Sequence, residues 1–310
     1  MDTRITLSNA IDGYLIAARA RRLSPHTLSD YQTTYRALER HIGGRTPLAA
    51  ITARDLQQFL AGLDHLAAKT LLNYHTGLSA LWTWALDEDL VDRHIVHDIP
   101  RPKPEKPAIV PLTKSDLQLL LAGTARSQEY RRGDQRPTDH RRPTEHRDRA
   151  ILLLLVDTGL RASELVSLCI YQADLRNQRI TVDGKGKKER SLPISARTSR
   201  ALWKYLQTRD DADRKAAPLF ATRTGAHLDR NTLRQMLQRI GDRQGVPGVT
   251  LHRFRHTFAI NFLRNGGNIY ALQRMLGHET LDMVQRYLAL VQGDVDNAHL
   301  HASPVEQWRL

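Results

Sequence analysis

Five prolines, Pro100, Pro102, Pro104, Pro107 and Pro111, fall within one short stretch of a 310-residue chain. Proline fixes φ and lacks a backbone N–H, so neither a helix nor a central strand runs through such a segment. The chain is therefore predicted to fold as two bodies joined by an extended strap over residues 101–112, with Arg101, Lys103 and Lys106 between the prolines. Its length is sufficient for two domains, each with its own core.

The first hundred residues read as a helical bundle. Ser24 followed by Pro25 is a helix start, because serine caps the free N–H groups and proline suits the first helical position. Leu28, Tyr31, Tyr35, Leu38 and Ile42 then recur at helical spacing up to Gly43-Gly44. Thr52 and Asp55 form a capping box ahead of Leu56, Phe59, Leu60 and Leu63. Leu71, Tyr74, Leu78, Leu81, Trp82 and Ala85 mark a longer helix, and an opening helix is expected around residues 6–20. The aromatic residues in these stripes are read as core.

A second unit, 113–310, opens on another capping box, Thr113 to Asp116. Residues 124–147 lack Leu, Ile, Val and Phe and contain a tandem hexapeptide, RPTDHR (136–141) then RPTEHR (142–147). A stretch so polar is expected to be a disordered insertion. His140 and His146 within it have no second cluster of ligands, and no metal site is expected. Two helices are expected over 148–168 around Asp157-Thr158-Gly159, and two short strands, 179–182 and 190–193, around the turn 183–188. Helical patterns return at about 195–208, 229–242, 252–265, 269–276 and 281–290. The fold class is thus mainly α with a small antiparallel β-sheet.

Charge narrows the partners. The chain carries 46 Lys and Arg against 33 Asp and Glu, a formal net charge of +13. A field of this sign favours polyanions, by attraction and by counterion release. The excess is uneven: residues 1–100 hold 10 basic and 11 acidic residues, so DNA binding there must rest on a local patch such as Arg19, Arg21 and Arg22. No segment approaches the roughly 18 apolar residues that a membrane span needs. The opening MDTRITLSNA lacks the features of a signal peptide, and Cys169 is the lone cysteine. A cytoplasmic, nucleoid-associated setting with no membrane partner is expected.

Four segments carry candidate chemistry: TGLRASEL with Arg161, GKGKKER with Lys185, LHRFRHTFA with His252 and Arg255, and LGHETLDMVQRYL with His278 and Tyr287. Singly, each has an ordinary explanation, such as a surface arginine, a solvated turn lysine, a helix-terminal histidine or a core tyrosine. In this order, with Tyr287 nine residues after His278, they resemble the tyrosine recombinase (phage integrase) family. The resemblance spans the whole chain in layout and residues 148–290 in motif detail.

That resemblance implies an N-terminal core-binding domain and a C-terminal catalytic domain closing on double-stranded DNA, and a homo-tetramer that synapses two sites and exchanges strands through a Holliday junction. It implies Tyr287 as nucleophile, forming a 3′-phosphotyrosyl link, with no cofactor, metal or ATP. Arg161 and Arg255 would stabilise charge on the phosphorus, a task that planar guanidiniums suit. Lys185 would protonate the leaving oxygen; Lys187 and Lys188 share its turn, and the GKG position favours Lys185. His252 and His278 would bind the phosphate or help move the tyrosine proton, with His256 left to a structural role. Glu164, three residues past Arg161, lies on the same helical face and is expected to hold its guanidinium. Lys187, Arg253 and Arg274 are expected to contact the DNA backbone, with Arg264 and Arg286 further candidates. Asp282-Met283 and Leu288-Ala289-Leu290 depart from the residues common in the family without removing a catalytic group. The tail 295–310 lies past the nucleophile, and docking in cis or in trans remains open. Integration or transposition of a mobile element is the expected role; resolution of chromosome or plasmid dimers, a type IB topoisomerase and a silent DNA-binding protein are the alternatives.

Overall fold

The computed structural model describes residues 5–105, 108–125, 142–184, 189–222, 224–277 and 280–291, with positions 299, 303 and 305. The chain divides into two compact units, Met1–Pro107 and Ala108–Leu310.

In the first unit α1 (Leu7–Ala20), α2 (Pro25–Ile42), α3 (Ala53–Ala61) and α4 (Ala68–Asp87) surround a core that includes Leu7, Tyr14, Tyr35, Leu38, Leu78 and Trp82. Each boundary has a local cause. The Ser24 hydroxyl accepts from the Thr27 amide ahead of Pro25, and Thr52 with Asp55 closes a reciprocal capping box. Tyr35 is core, as its position in the stripe predicts, and its hydroxyl donates to the Gly77 carbonyl at 3.0 Å.

The second unit is built of α5 (Lys114–Ala122), α6 (Glu145–Thr158), α7 (Ala162–Ser167), α8 (Ala196–Leu206), α9 (Arg230–Arg243), α10 (Leu251–Arg264), α11 (Ile269–Leu276) and α12 (Asp282–Val291). Strands β1 (Ala173–Asp174), β2 (Arg179–Asp183) and β3 (Glu189–Pro193) make one antiparallel sheet in the order β1-β2-β3. Ile180 pairs with Leu192 and Val182 with Arg190. This register turns Ile180, Val182 and Leu192 into the core, with Arg190 on the same face as Leu192. The short β1 lies outside the predicted strands. Its two residues are too few for a periodic signal.

Two predicted boundaries shift. The strap expected to end at residue 112 is already part of the second unit's packing at its end. Leu112 is buried and its amide donates to the Thr257 hydroxyl at 2.8 Å, while Arg253 donates to the carbonyls of Val110 and Pro111. The expected insertion also gives way early. Helix α6 begins at Glu145, inside the second hexapeptide, and Arg142, Thr144 and Arg147 close around the fully buried Asp148 carboxylate at 2.8–2.9 Å. Polarity alone marks residues 142–147 as solvent-loving; their partner is a buried acid. Residues 126–141 lie outside the described residues.

Thr257 joins the two ends of this packing. Its hydroxyl accepts from Leu112 and donates to the Arg253 carbonyl. Thr257→Val keeps the shape and strands the buried amide, at a cost of about 1–3 kcal/mol. Calorimetry should register a fall in the second unit's Tm of roughly 2–10 °C for a domain of this size.

Candidate active site

Helix α6 ends at Gly159, whose φ of +62° is left-handed. The turn sends Arg161 to the N-cap of α7, three residues before Glu164. Glu164 is 6% exposed and its carboxylate is fully engaged. Oε1 accepts from Arg161 Nη1 at 2.9 Å and Arg190 Nη1 at 3.0 Å; Oε2 accepts from the Arg161 amide and Arg190 Nη2, both at 2.9 Å. Burial alone would raise its pKa. The donors from Arg190 and from Arg161 outweigh that and hold Glu164 below the ordinary carboxylate value.

Helix α11 supplies the opposite wall, through carbonyls that no further helical turn uses. Arg190 Nε donates to Met275 O at 3.0 Å, Arg255 Nη2 to Leu276 O at 2.8 Å and Arg161 Nη2 to Gly277 O at 3.0 Å. Three guanidiniums thus grip three consecutive carbonyls at a helix C-terminus, where cations are favoured. Gly277 is left-handed at φ +62°, and a Cβ there would lie 2.9 Å from Arg190 Nη1 and 3.4 Å from Arg161 Nη1. Arg255 also donates to Gly159 O at 2.8 Å, so the glycine ending α6 and the glycine ending α11 serve one cluster.

Arg161 and Arg255 are consequently neighbours, but unequal ones. The Arg161 side chain is 40% exposed, whereas Arg255 is 4% exposed. Burial first, and then the charge of Arg161, pushes Arg255 down to about 10. At neutral pH it stays protonated. Among the described residues, Arg161, Arg190 and Arg255 set three positive charges against one carboxylate. The surplus suits an anion.

Tyr287 lies on α12 within the apolar cluster of Phe258, Leu272, Leu276 and Val284, and is 2% exposed. Burial raises its pKa, while Arg255 and Arg286 pull the other way. Its hydroxyl is 2.9 Å from Nδ1 of His256. His252, one turn earlier on α10, is exposed, with its ring edge-to-face to His256 at 5.2 Å between centroids.

The sequence reading thus finds Arg161, Glu164, His252, Arg255 and Tyr287 on the elements around α10. Lys185, Lys187 and His278 lie outside the described residues. Arg253, expected on DNA, donates to the carbonyls of Val110, Pro111 and Pro247. Arg274, Arg264 and Arg286 are exposed on α10–α12, as are Arg19, Arg21 and Arg22 in the first unit. Arg190 carries no motif signal in the sequence, and His256 is expected there to be structural. Strand alternation carries the signal for the first: a charge two residues from the buried Leu192 on one face requires a partner. Among the described residues, no group of three or more His, Cys, Asp or Glu side chains could hold a metal ion, and no helix is long and apolar enough to cross a membrane.

The model of the phage integrase family matches residues 112–293, which include the whole of this cluster. The chain belongs to that family. It is a tyrosine recombinase, an enzyme of DNA strand cleavage and transfer. The family's N-terminal SAM-like domain matches residues 11–89. The chain is 30% identical to tyrosine recombinase XerD of Mycobacterium tuberculosis over 91% of its own length and 93% of the relative's. It is 31% identical to tyrosine recombinase XerC of Alcanivorax borkumensis, covering 88% and 86%. In fold it is similar to the Tn1549 transposon integrase bound to transposon right end DNA, with a TM-score of 0.75, 21% identity and coverage of 96% and 99%. A lambda integrase dimer bound to a core site gives a TM-score of 0.72 at 19% identity, covering 91% and 77%.

Glu164→Gln removes the negative charge that Arg161 and Arg190 share and turns one of its two acceptor oxygens into a donor. A loss of about 1–3 kcal/mol is expected from the weakened charge-assisted bonds. The sign with pH follows from a folded pKa below the unfolded one. The wild-type stabilisation is present above the ordinary value near 4.5 and is lost as pH falls through the lower folded value. The stability gap between wild type and Glu164→Gln, measured by urea unfolding, should therefore be full at pH 6 to 7 and shrink below about 4.5.

Proposed function

We infer that the protein performs site-specific recombination through a covalent link between Tyr287 and DNA, with Arg161 and Arg255 as the phosphate clamp. The observation that carries this is the convergence of the two guanidiniums on the adjacent carbonyls of Leu276 and Gly277, with Tyr287 within the field of Arg255. A phosphodiester undergoing substitution spreads negative charge over its non-bridging oxygens, and fixed guanidiniums stabilise it without reorganising.

In the cleavage step Tyr287 Oη forms a bond to phosphorus as the bond to the 5′-oxygen breaks. The electron pair leaves with that oxygen, and Lys185 supplies its proton. The products are a 3′-phosphotyrosine and a free 5′-hydroxyl. The phosphodiester's bond energy is kept in the link, so attack by a 5′-hydroxyl from a second strand rejoins DNA without ATP. His252 and His278 are assigned to the phosphate, and Glu164 with Arg190 holds Arg161 in place. No step requires a metal or cofactor.

The partner is double-stranded DNA carrying a recombination site. Support comes from similar folds solved on DNA, among them XerH site-specific recombinase bound to palindromic difH substrate, with a TM-score of 0.71 at 20% identity. Arg19, Arg21, Arg22, Lys187 and Arg274 are assigned to the DNA backbone. The assembly is a tetramer on DNA that passes through a Holliday junction. Likeness to XerC and XerD recombinases over nearly the full length of both chains favours resolution of chromosome or plasmid dimers over the integrase or transposase of a mobile element.

The test is covalent capture. A duplex site enriched by binding to Tyr287→Phe protein is nicked beside the scissile phosphate and offered in chelator. Wild type should yield an adduct that survives denaturation, and Tyr287→Phe none. Arg161→Ala should slow adduct formation roughly 100- to 1,000-fold, in line with the loss of one donor to a developing oxyanion. Absence of an adduct on a tightly bound site would mark a silent DNA-binding protein. Relaxation of supercoils without exchange between two sites would mark a topoisomerase.

A further inference from the structure

We propose that His256, and not the exposed His252, is the residue that positions the Tyr287 hydroxyl and takes its proton when the tyrosine attacks DNA. The proposal rests on the reading of Tyr287 as nucleophile and gives that reaction its missing base.

Geometry comes first. Tyr287 is 2% exposed, and its hydroxyl is 2.9 Å from His256 Nδ1, within the distance a general base needs to the proton it removes. The two rings are 5.6 Å apart between centroids and inclined at 58°. His256 is itself half-buried on α10. It follows Arg255 directly, so the backbone that fixes the buried guanidinium on Gly159 and Leu276 also fixes the imidazole.

Charge decides the direction of that hydrogen bond. Among the described residues, the titratable and charged groups facing His256 are His252 and Arg255 on its own helix and Tyr287 on α12; Arg286 acts on Tyr287, and Arg161 on Arg255. Burial, His252 and Arg255 together hold His256 below the ordinary histidine value, so at neutral pH the ring is uncharged. Burial keeps the Tyr287 phenol protonated under the same conditions. The phenol is therefore the donor and Nδ1 the acceptor, which leaves the imidazole proton on Nε2.

The step balances. As Tyr287 Oη bonds to phosphorus, its proton moves to Nδ1 and His256 becomes an imidazolium; the 5′-oxygen leaves with the proton of Lys185. On rejoining, the attacking 5′-hydroxyl returns its proton to Lys185 and the phenolate leaving phosphorus recovers its own from His256. The imidazolium stands one turn from His252, the exposed end of the pair.

Two measurements test this on the full-length protein. Nitrogen-15 NMR of the histidine side chains, without DNA, should find His256 as the Nε2–H tautomer. An Nδ1–H tautomer would reverse the hydrogen bond and overturn the proposal. Single-turnover adduct formation on the nicked, binding-selected duplex then follows the proton. His256→Phe, confirmed folded by undiminished DNA binding, should slow it about 100-fold or more, within the usual range for general base catalysis. His256→Asn keeps an acceptor close to the position of Nδ1 and should recover part of the rate. The wild-type rate should fall as pH drops through the His256 value, below about 6.5. That acid limb should vanish in His256→Asn and persist in His252→Asn. A limb that disappears in His252→Asn instead, or a His256→Phe variant as fast as wild type or faster, would overturn the assignment; an acceleration would mean that the contact merely restrains the tyrosine. Failure of wild type to form any adduct would sink the nucleophile reading, and the tautomer would still report whether His256 is an acceptor.

Discussion

The catalytic unit is organised around a buried carboxylate. Glu164 accepts four hydrogen bonds, two through each oxygen: two come from Arg161 at the start of α7, through its amide and its side chain, and two from Arg190 on β3. Burying one charge is costly unless it is paired and fully hydrogen-bonded. Here the pairing exceeds neutrality. Among the described residues, Arg161, Arg190 and Arg255 surround this one carboxylate, and the ends of α6 and α11 lend their carbonyls to guanidinium protons that Glu164 does not take. Such a cluster of guanidiniums held by backbone carbonyls suits the anion-binding role proposed for it.

Those carbonyls are available because two helices stop where they do. Gly159 and Gly277 both take left-handed φ near +62°, which costs glycine little and other residues more. Space reinforces the backbone argument. A Cβ at Gly159 would lie 2.5 Å from Phe258, and one at Gly277 would press on Arg190 and Arg161. Helix termination and guanidinium placement are therefore one event: the same residue that ends the helix leaves room for the side chains that use its carbonyls.

Much of this was legible before any coordinates. The helical stripes, both capping boxes and the two longer strands follow from spacing and from capping chemistry, because those signals are local. The set Arg161, Glu164, His252, Arg255 and Tyr287 was legible through motif order, and the bond between Arg161 and Glu164 through helical spacing. Arg190 was not, although it stands in the same segment as Lys185, because its partners are 26 and 85 residues away and only the folded register turns it inward. Residues 142–147 misled for a related reason: their composition is that of a solvated loop, and their anchor, Asp148, reads as another surface charge until the core closes over it. Arg253 looked like a phosphate contact because arginines near an anion site usually are. It donates to three carbonyls, of which those of Val110 and Pro111 fasten the strap to α10.

The inequality between the two arginines bears on how the tyrosine can react. In the unliganded cluster Arg255 lowers the pKa of Tyr287 while burial raises it, and burial prevails. In the proposed reaction, a phosphodiester between Arg161 and Arg255 would bring a negative charge of its own, which offsets the positive field that helped the phenol to ionise. Substrate binding thus makes the unaided tyrosine a weaker acid at the moment when it must attack. Guanidiniums cannot accept the proton, since even the buried Arg255 stays charged at neutral pH. Among the described residues, His256 Nδ1, 2.9 Å from the hydroxyl, is an uncharged acceptor already in contact with it. Its neutrality is maintained by the same Arg255 charge and the same burial that build the anion site. The proposed clamp and the proposed base thus draw on one cluster.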